Sequence, residues 1–424
     1  MRLSHEFLLY GLVTLLTSFA LAATAHALPN PKRPLGTVPL PELKKRAEAG
    51  NGAAMAEYAD RFLFGIGIKE DVQEARRWFL LAAEKEDAHA MEMLGGMDRD
   101  GLAAARDYDK AMAWYRKAAD HGNPTAWASI GWMYFHGLGV KQSDQEAVRY
   151  YRLAADKGSA EGMNNLGHVY RHGLGVEKDL TKAAEWFRSG AEKENVWALT
   201  NLSELYFRGE GVDRDPAKAL KLVLRAADLG HTTAMVNVAQ VYAFGIGTDK
   251  NPTEALAWMR KAAEKGSAGG MRQLGYMYLR GLGTPVDEAE AFRWWERAMA
   301  AGDTEAVVDV YTSYATGRGV KRDPAKALEV LQKEARADNV HAMRLLGHNY
   351  YEGKHVGKDY AEALKWYRKA IDLGDTGSML SLAAMYRGGQ GVEKDERMSL
   401  DWIRKAADGG NAEAIEILRN RGER

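Results

Sequence analysis

Residues Ala126 to Glu161 read AWASIGWMYFHGLGVKQSDQEAVRYYRLAADKGSAE, and the same grammar returns at a constant step along the chain. With the opening column at Ala54, its equivalents are Ala90, Ala126, Gly162, Ala198, Ala234, Gly270, Ala306, Ala342, Ser378 and Ala414, each 36 residues after the last. Ten units therefore occupy 54–413 without insertion or deletion. A period of that size marks a stack of identical supersecondary units, not a string of unlike domains.

The columns define one unit. The second position is mostly Met (Met55, Met163, Met271), the fifth is mostly Leu, Ile or Val, and the ninth is mostly Tyr (Tyr134, Tyr170, Tyr206). These three positions share one face of a 3.6-residue helix. The sixth is small, as at Gly95, Gly131, Gly167, Gly275 and Gly347, which lets a neighbouring helix approach. Glycine fills the twelfth position in every unit and recurs two residues later in eight of ten, a signal for a helix ending in a left-handed residue. A second helix then starts at an Asp or Asn cap such as Asp71, Asp179 or Asn251, with Pro216, Pro252 and Pro324 in the first helical position. It carries Ala at the twenty-second position and Trp or Tyr at the twenty-fifth in eight units. Each unit is thus a helix hairpin whose apolar faces need the next hairpin to cover them.

This pattern closely resembles the Sel1-like repeat, a relative of the tetratricopeptide repeat, over essentially all of 54–413. The resemblance implies an all-α fold, an α/α right-handed superhelical solenoid that binds proteins and has no catalytic residues or cofactor of its own. The segment before it, 42–53, reads as a polar capping helix with Glu42 at the aromatic column, and 414–424 as a lone C-terminal capping helix. Three units are irregular. The second has Asp98 and Ala103 at the Tyr and Gly columns, the fifth has Leu222-Val223 at the aromatic pair, and the eighth has Tyr311, Val330 and Glu334. Local bends or softer interfaces are expected there.

Composition narrows the function classes. The 58 basic residues balance the 58 acidic ones, which argues against general nucleic-acid or anionic-membrane binding. The absence of cysteine excludes disulfides, thiolate metal sites and thiol nucleophiles. At the N-terminus, Arg2 precedes an apolar run from Phe7 to Ala23, and Ala25-His26-Ala27 supplies a small-x-small site. Residues 1–27 are expected to be a signal peptide cleaved after Ala27, giving a periplasmic or secreted protein. Thr14, Thr17 and Ser18 dilute the run and disfavour an uncleaved anchor, so no stable membrane insertion is expected after cleavage. Residues 28–41, LPNPKRPLGTVPLP, form a linker with five prolines.

The stretch GHVYRHGLGV at Gly167 to Val176 tests for catalysis. Its GLG recurs at Gly137 and Gly281 and follows no strand, so it is a repeat turn and not a phosphate loop. No GxSxG and no HExxH occurs. His136, His168 and His172 share the surface columns seven and eleven. Neutral imidazoles suit zinc or copper, but no carboxylate stands at ligand spacing beside them, and we assign no metal. By resemblance to tetratricopeptide arrays, columns three, four, seven, ten and eleven line a concave groove. Column four carries Asn165, Asn201, Asn237 and Gln273, a row of amides able to grip an extended peptide backbone. Around it lie Trp132, Phe135, Asn164, Arg171, Glu204, Phe207, Arg208, Gln240, Phe244, Arg272, Tyr276 and Arg280. Aromatic and Arg side chains in a groove are typical anchors for a protein partner. The expected function is a non-catalytic interaction scaffold of the bacterial envelope that binds another protein or peptide. The rivals are an immunity protein that occludes a secreted effector enzyme and an envelope hydrolase acting on a β-lactam or peptidoglycan.

Overall fold

A computed structural model describes residues 37–422; the expected signal peptide and most of the Pro-rich linker lie outside the described residues. The described residues hold 22 helices and no strand. They divide into two compact units, one ending at Arg214 and one beginning at Asp215. Each unit is an all-α run of helix hairpins, in which every helix packs on its neighbours in sequence.

The fourth repeat shows why the hairpin forms. Its first helix, Ala160–His172, starts at Ser159, whose side chain accepts from the Gly162 amide, and stops at Gly173 with φ 72°. Its second helix, Leu180–Glu192, starts at Asp179, whose carboxylate accepts from the Lys182 amide. The Asp179 amide also donates to the Tyr170 carbonyl at 2.8 Å, closing the turn. The same bond joins Ser143 to Tyr134 and Asn251 to Tyr242, so turn length is locked to the repeat.

Two glycine columns have tertiary causes. A Cβ on Gly131 would lie 2.7 Å from the Tyr151 ring, and one on Gly347 would lie 2.7 Å from the ring of Tyr367. The sixth-column glycine therefore seats the aromatic ring of the second helix in its own repeat. The fourteenth-column Gly175 has φ 66°, and a Cβ there would meet the carbonyl carbon of Asp144 at 2.6 Å. That glycine ends one turn and also admits the second-helix start of the preceding repeat. Tyr hydroxyls at the ninth column add a further tie between repeats: Arg152 donates to Tyr170 at 3.0 Å in the N-terminal unit, and Tyr314 donates to Glu296 at 3.1 Å in the C-terminal unit.

The irregular repeats are compensated. Asp98, buried in place of a tyrosine, pairs with Arg76 of the preceding repeat at 2.6 Å. Tyr311 is buried and donates to Asn349 of the following repeat at 2.9 Å. The eighth repeat's first helix, Ala306–Thr316, has 11 residues where the others in that unit have 13. In the fifth repeat Val223 stays in the core without an aromatic neighbour in its helix.

At the N-terminal end a helix spans Leu40–Glu48, buries Leu43 and Ala47, and carries Pro41 in its first turn, where a missing amide proton costs nothing. The buried Arg61 guanidinium donates to the Val38 carbonyl at 2.6 Å, fixing where the chain enters. A final helix, Ala412–Asn420, follows the tenth repeat. Among the described residues no helix is long and apolar enough to cross a membrane.

Candidate protein-binding face

In the N-terminal unit, successive first helices touch: Pro124–His136 packs against Ala160–His172, which packs against Val196–Arg208. Successive second helices make no comparable contact, so the first helices take the inner side of this stack, where Asn164 and Asn165 at columns three and four and Glu204 at column seven are buried. That placement corrects the expectation of a freely exposed amide row. Asn164 and Asn165 are buried, and Asn201 is half-buried with its amide donating to the Asn164 carbonyl oxygen at 2.9 Å. Asn164 in turn donates to Asn165 at 3.4 Å. The three amides serve each other across the repeat boundary, so the Asn165 and Asn201 amides are taken up in contacts within the stack. The Asn165 side-chain NH2 is buried with no hydrogen bond.

The expected charged anchors are also committed internally. Glu204 is only 3% exposed, so it is a core carboxylate and not a groove wall. Arg171 donates to it at 2.7 Å and reaches Glu210 at 3.3 Å. Arg208 approaches Glu204 at 2.9 Å as an ion pair without hydrogen-bond alignment. Phe207 is half-buried beside them.

What remains open in this unit is a set of rings. His136 and His172 are exposed, and Trp132, Phe135 and His168 are half-buried. Ring centroids lie 4.4 Å apart for Trp132 and His136, 5.0 Å for Phe135 and His136, 6.4 Å for Phe135 and His168, and 4.6 Å for His168 and His172. Burial, and then the neighbouring His172, Arg171 and His136, push the His168 imidazole down to about 4. Burial also lowers His136, and burial with Arg171 and Lys178 lowers His172. All three imidazoles are therefore neutral at neutral pH. Among the described residues no group of three or more His, Asp or Glu is placed to hold a metal ion.

The sequence reading passed over Arg99 and Asp100, at columns ten and eleven of the second repeat. Arg99 is buried, donates twice to Asp100 at 2.6 Å, and lies 5.1 Å over the Trp132 ring. Columns ten and eleven mark both residues as surface in the sequence, but their pairing with each other and the contact with Trp132 of the next repeat depend on packing.

In the C-terminal unit, Asn237, Gln240 and Phe244 are half-buried, and Gln273 and Arg280 are exposed. Arg272 pairs with Asp303 at 3.2 Å and Glu305 at 2.7 Å, so it is an internal link and not a free anchor. Tyr276 packs edge-on to Trp295 and donates to Asp309 at 2.7 Å. The other Asp309 oxygen is buried without a hydrogen bond. Burial raises the Asp309 carboxyl to about 6, against the opposing Tyr276 bond and Arg272 charge. None of these last three acids was a sequence candidate, because cap and surface acids recur throughout the chain.

The Sel1 repeat profile matches residues 52–87, 88–123, 128–159, 160–195, 198–231, 232–267, 268–303, 312–339, 340–375 and 377–411. A protective antigen of uropathogenic Escherichia coli strains, displaying an SLR fold, is 32% identical over 89% of this chain and 81% of its own, with a TM-score of 0.47. A Sel1 repeat protein from Oxalobacter formigenes is 28% identical over 73% of this chain and 90% of its own, with a TM-score of 0.53. An immunity protein from Pseudomonas aeruginosa is 16% identical over 50% of this chain and 82% of its own, with a TM-score of 0.36. No curated protein matches in sequence.

Proposed function

As this chain belongs to the Sel1 repeat family, whose members generally serve as protein-interaction scaffolds, we propose that it is a non-catalytic scaffold of the bacterial envelope that binds another protein on the inner face of repeats three to five. One observation carries the reading. Among the inner-face side chains of the N-terminal unit, the charged groups are paired with each other, while five rings from Trp132 to His172 stay partly open. Aromatic side chains held rigidly beside satisfied ion pairs bind a partner with little further ordering cost. Export rests on the apolar run from Phe7 to Ala23 and the Ala25-His26-Ala27 site.

Affinity capture from envelope extract tests the reading. Wild type is compared with a Phe135→Ala/His168→Ala variant and with Arg188→Ala on the exposed second-helix side. Loss of the partner with the double variant alone is expected. Equal recovery by all three would show that this face is not the binding surface. The export step is read from the mature N-terminus in the periplasmic fraction, where Leu28 is expected.

A further inference from the structure

On the inner face, the junction between repeats three and four is made differently from the junctions on either side. Arg99 of the second repeat lies 5.1 Å over the Trp132 ring of the third, and Arg171 of the fourth donates to Glu204 of the fifth at 2.7 Å. Between the third and the fourth, a ring meets an imidazole, Phe135 against His168 at 6.4 Å. Rings continue to both sides of that contact, with Phe135 5.0 Å from His136 and His168 4.6 Å from His172. Three titratable side chains therefore gather where two first helices, Pro124–His136 and Ala160–His172, close on each other.

The outer side of the same junction is built from other groups. There Ala160–His172 packs on the preceding second helix, Asp144–Asp156, and Arg152 donates to the Tyr170 hydroxyl at 3.0 Å. The Gly175 backbone sits so close to the Asp144 carbonyl carbon that a Cβ would lie 2.6 Å from it. Backbone contacts and arginine–tyrosine bonds do not titrate between about pH 4 and 7.

We infer that His136, His168 and His172 form an acid-operated latch across this junction: neutral, they let the two first helices close; protonated, they part the inner face while the outer contacts act as the pivot. The latch needs no partner and is independent of the scaffold reading above. Its sign follows from what faces the imidazoles. Burial first, and then His172 and Arg171 on its own helix and His136 on the preceding one, hold His168 down to about 4. Burial lowers His136; burial, Arg171 and the turn residue Lys178 lower His172, opposed by Glu204 and Glu210 of the following repeat. Those two acids are already engaged by Arg171 and Arg208. A proton on one imidazole thus makes the next harder to add while the junction stays closed. Opening hydrates all three and returns them toward the ordinary 6.5, so the closed form is fully favoured above pH 6.5 and loses ground as pH falls toward 4. Because the imidazoles stand on both helices, the two helices are released together.

Hydrogen exchange of the full chain, read as protection factors at pH 7 and pH 4 with far-UV circular dichroism at each, tests the latch. In wild type, Pro124–His136 and Ala160–His172 are expected to lose protection together, about thirtyfold, while Tyr360–Asp372 in the ninth repeat keeps its own. A His136→Phe/His168→Phe/His172→Phe variant, which keeps rings but cannot titrate, should lose less than about threefold on both helices. His168→Gln, polar and not titrating, guards against misfolding of the triple variant and should remove most of the loss on Pro124–His136, although it lies on the other helix. Loss confined to Ala160–His172 would overturn the latch. Equal loss in Tyr360–Asp372 would also overturn it, since the chain would then be unfolding in acid at large. An acid response retained in folded His168→Gln or in the folded triple variant would overturn the imidazoles as its cause.

Discussion

The inner faces of repeats three to five and of repeats seven and eight occupy the same columns of the same backbone plan, yet acid acts on them in opposite directions. In the first, His168 is held at about 4 against an ordinary 6.5. Its contribution to stability is present above pH 6.5 and is lost as pH falls toward 4. In the second, Asp309 is raised to about 6 from 3.8. Its contribution is present below about pH 3.8 and is lost as pH rises through 6. The two faces also differ in how their acids are matched. Glu204 has two arginines, whereas Asp309 has one tyrosine hydroxyl and an orphaned oxygen. A repeat scaffold fixes where side chains go, and the residue chosen at each column decides whether that place is a paired link, a strained charge or an open ring.

Five substitutions break or sharpen this contrast. Local hydrogen exchange is the fitting measurement, because repeat arrays open locally and need not unfold in two states. The largest effect is expected from Glu204→Ala, which takes the buried carboxylate from Arg171 and Arg208 and leaves them the more exposed Glu210, and should cost about 3 kcal/mol in the protection of Val196–Arg208. Protection of that helix within 0.5 kcal/mol of wild type would mean that the paired face owes little to its ion pairs.

His168→Phe should remove about 2 kcal/mol of the difference in protection of Ala160–His172 between pH 7 and pH 4. An unchanged pH profile would show that another group drives the acid sensitivity. Asp309→Asn keeps an acceptor for Tyr276 and removes the buried charge, so the helix Ala306–Thr316 should gain about 1 to 2 kcal/mol at pH 7 and nothing at pH 3.5. A loss at pH 7 would mean that the charge on Asp309 is stabilising and that the contrast between the faces is false.

The smallest effect serves as the common baseline. Ala103 and His355 replace the fourteenth-column glycine in one unit each, at φ 60° and 64°. Ala103→Gly and His355→Gly should each raise thermal stability by about 0.5 to 1 kcal/mol at pH 7; the Ala103→Gly gain has no pH dependence, whereas burial and the nearby Lys354 and Arg322 lower the His355 imidazole, so its gain grows as pH falls below 6.5. A destabilisation at either site would mean that its side chain earns contacts outweighing the backbone strain.

Much of the fold was legible because its signals are local and repeated ten times. Asp179, Gly173 and Tyr170 each act within one hairpin, and a cap, a left-handed turn and an apolar stripe can be read from spacing alone. The sixth-column glycine was legible as a close approach, but not the ring that fills it. The site was legible only in part. The columns of Trp132, Phe135, His136, His168 and His172 were read as surface, and the structure leaves those rings partly open. Column seven, open at Trp132 and His168, is closed at Glu204 by the neighbouring repeat, and columns three and four, also read as surface, are closed at Asn164 and Asn165. Column number cannot tell these apart, since exposure depends on how far a side chain reaches past the adjacent helix.

The amino-acid sequence by itself determined the all-α hairpin, its 36-residue period and the places where each helix starts and stops, because caps, glycine turns and 3.6-residue periodicity act over a few residues. Only the tertiary structure decided that Arg171 belongs to Glu204, that Asn201 belongs to Asn164, and that Asp309 stands half-satisfied beside Tyr276. Those pairings span more than 30 residues of chain. They exist because first helices of successive repeats come within hydrogen-bonding reach, a distance set by packing and not by sequence spacing.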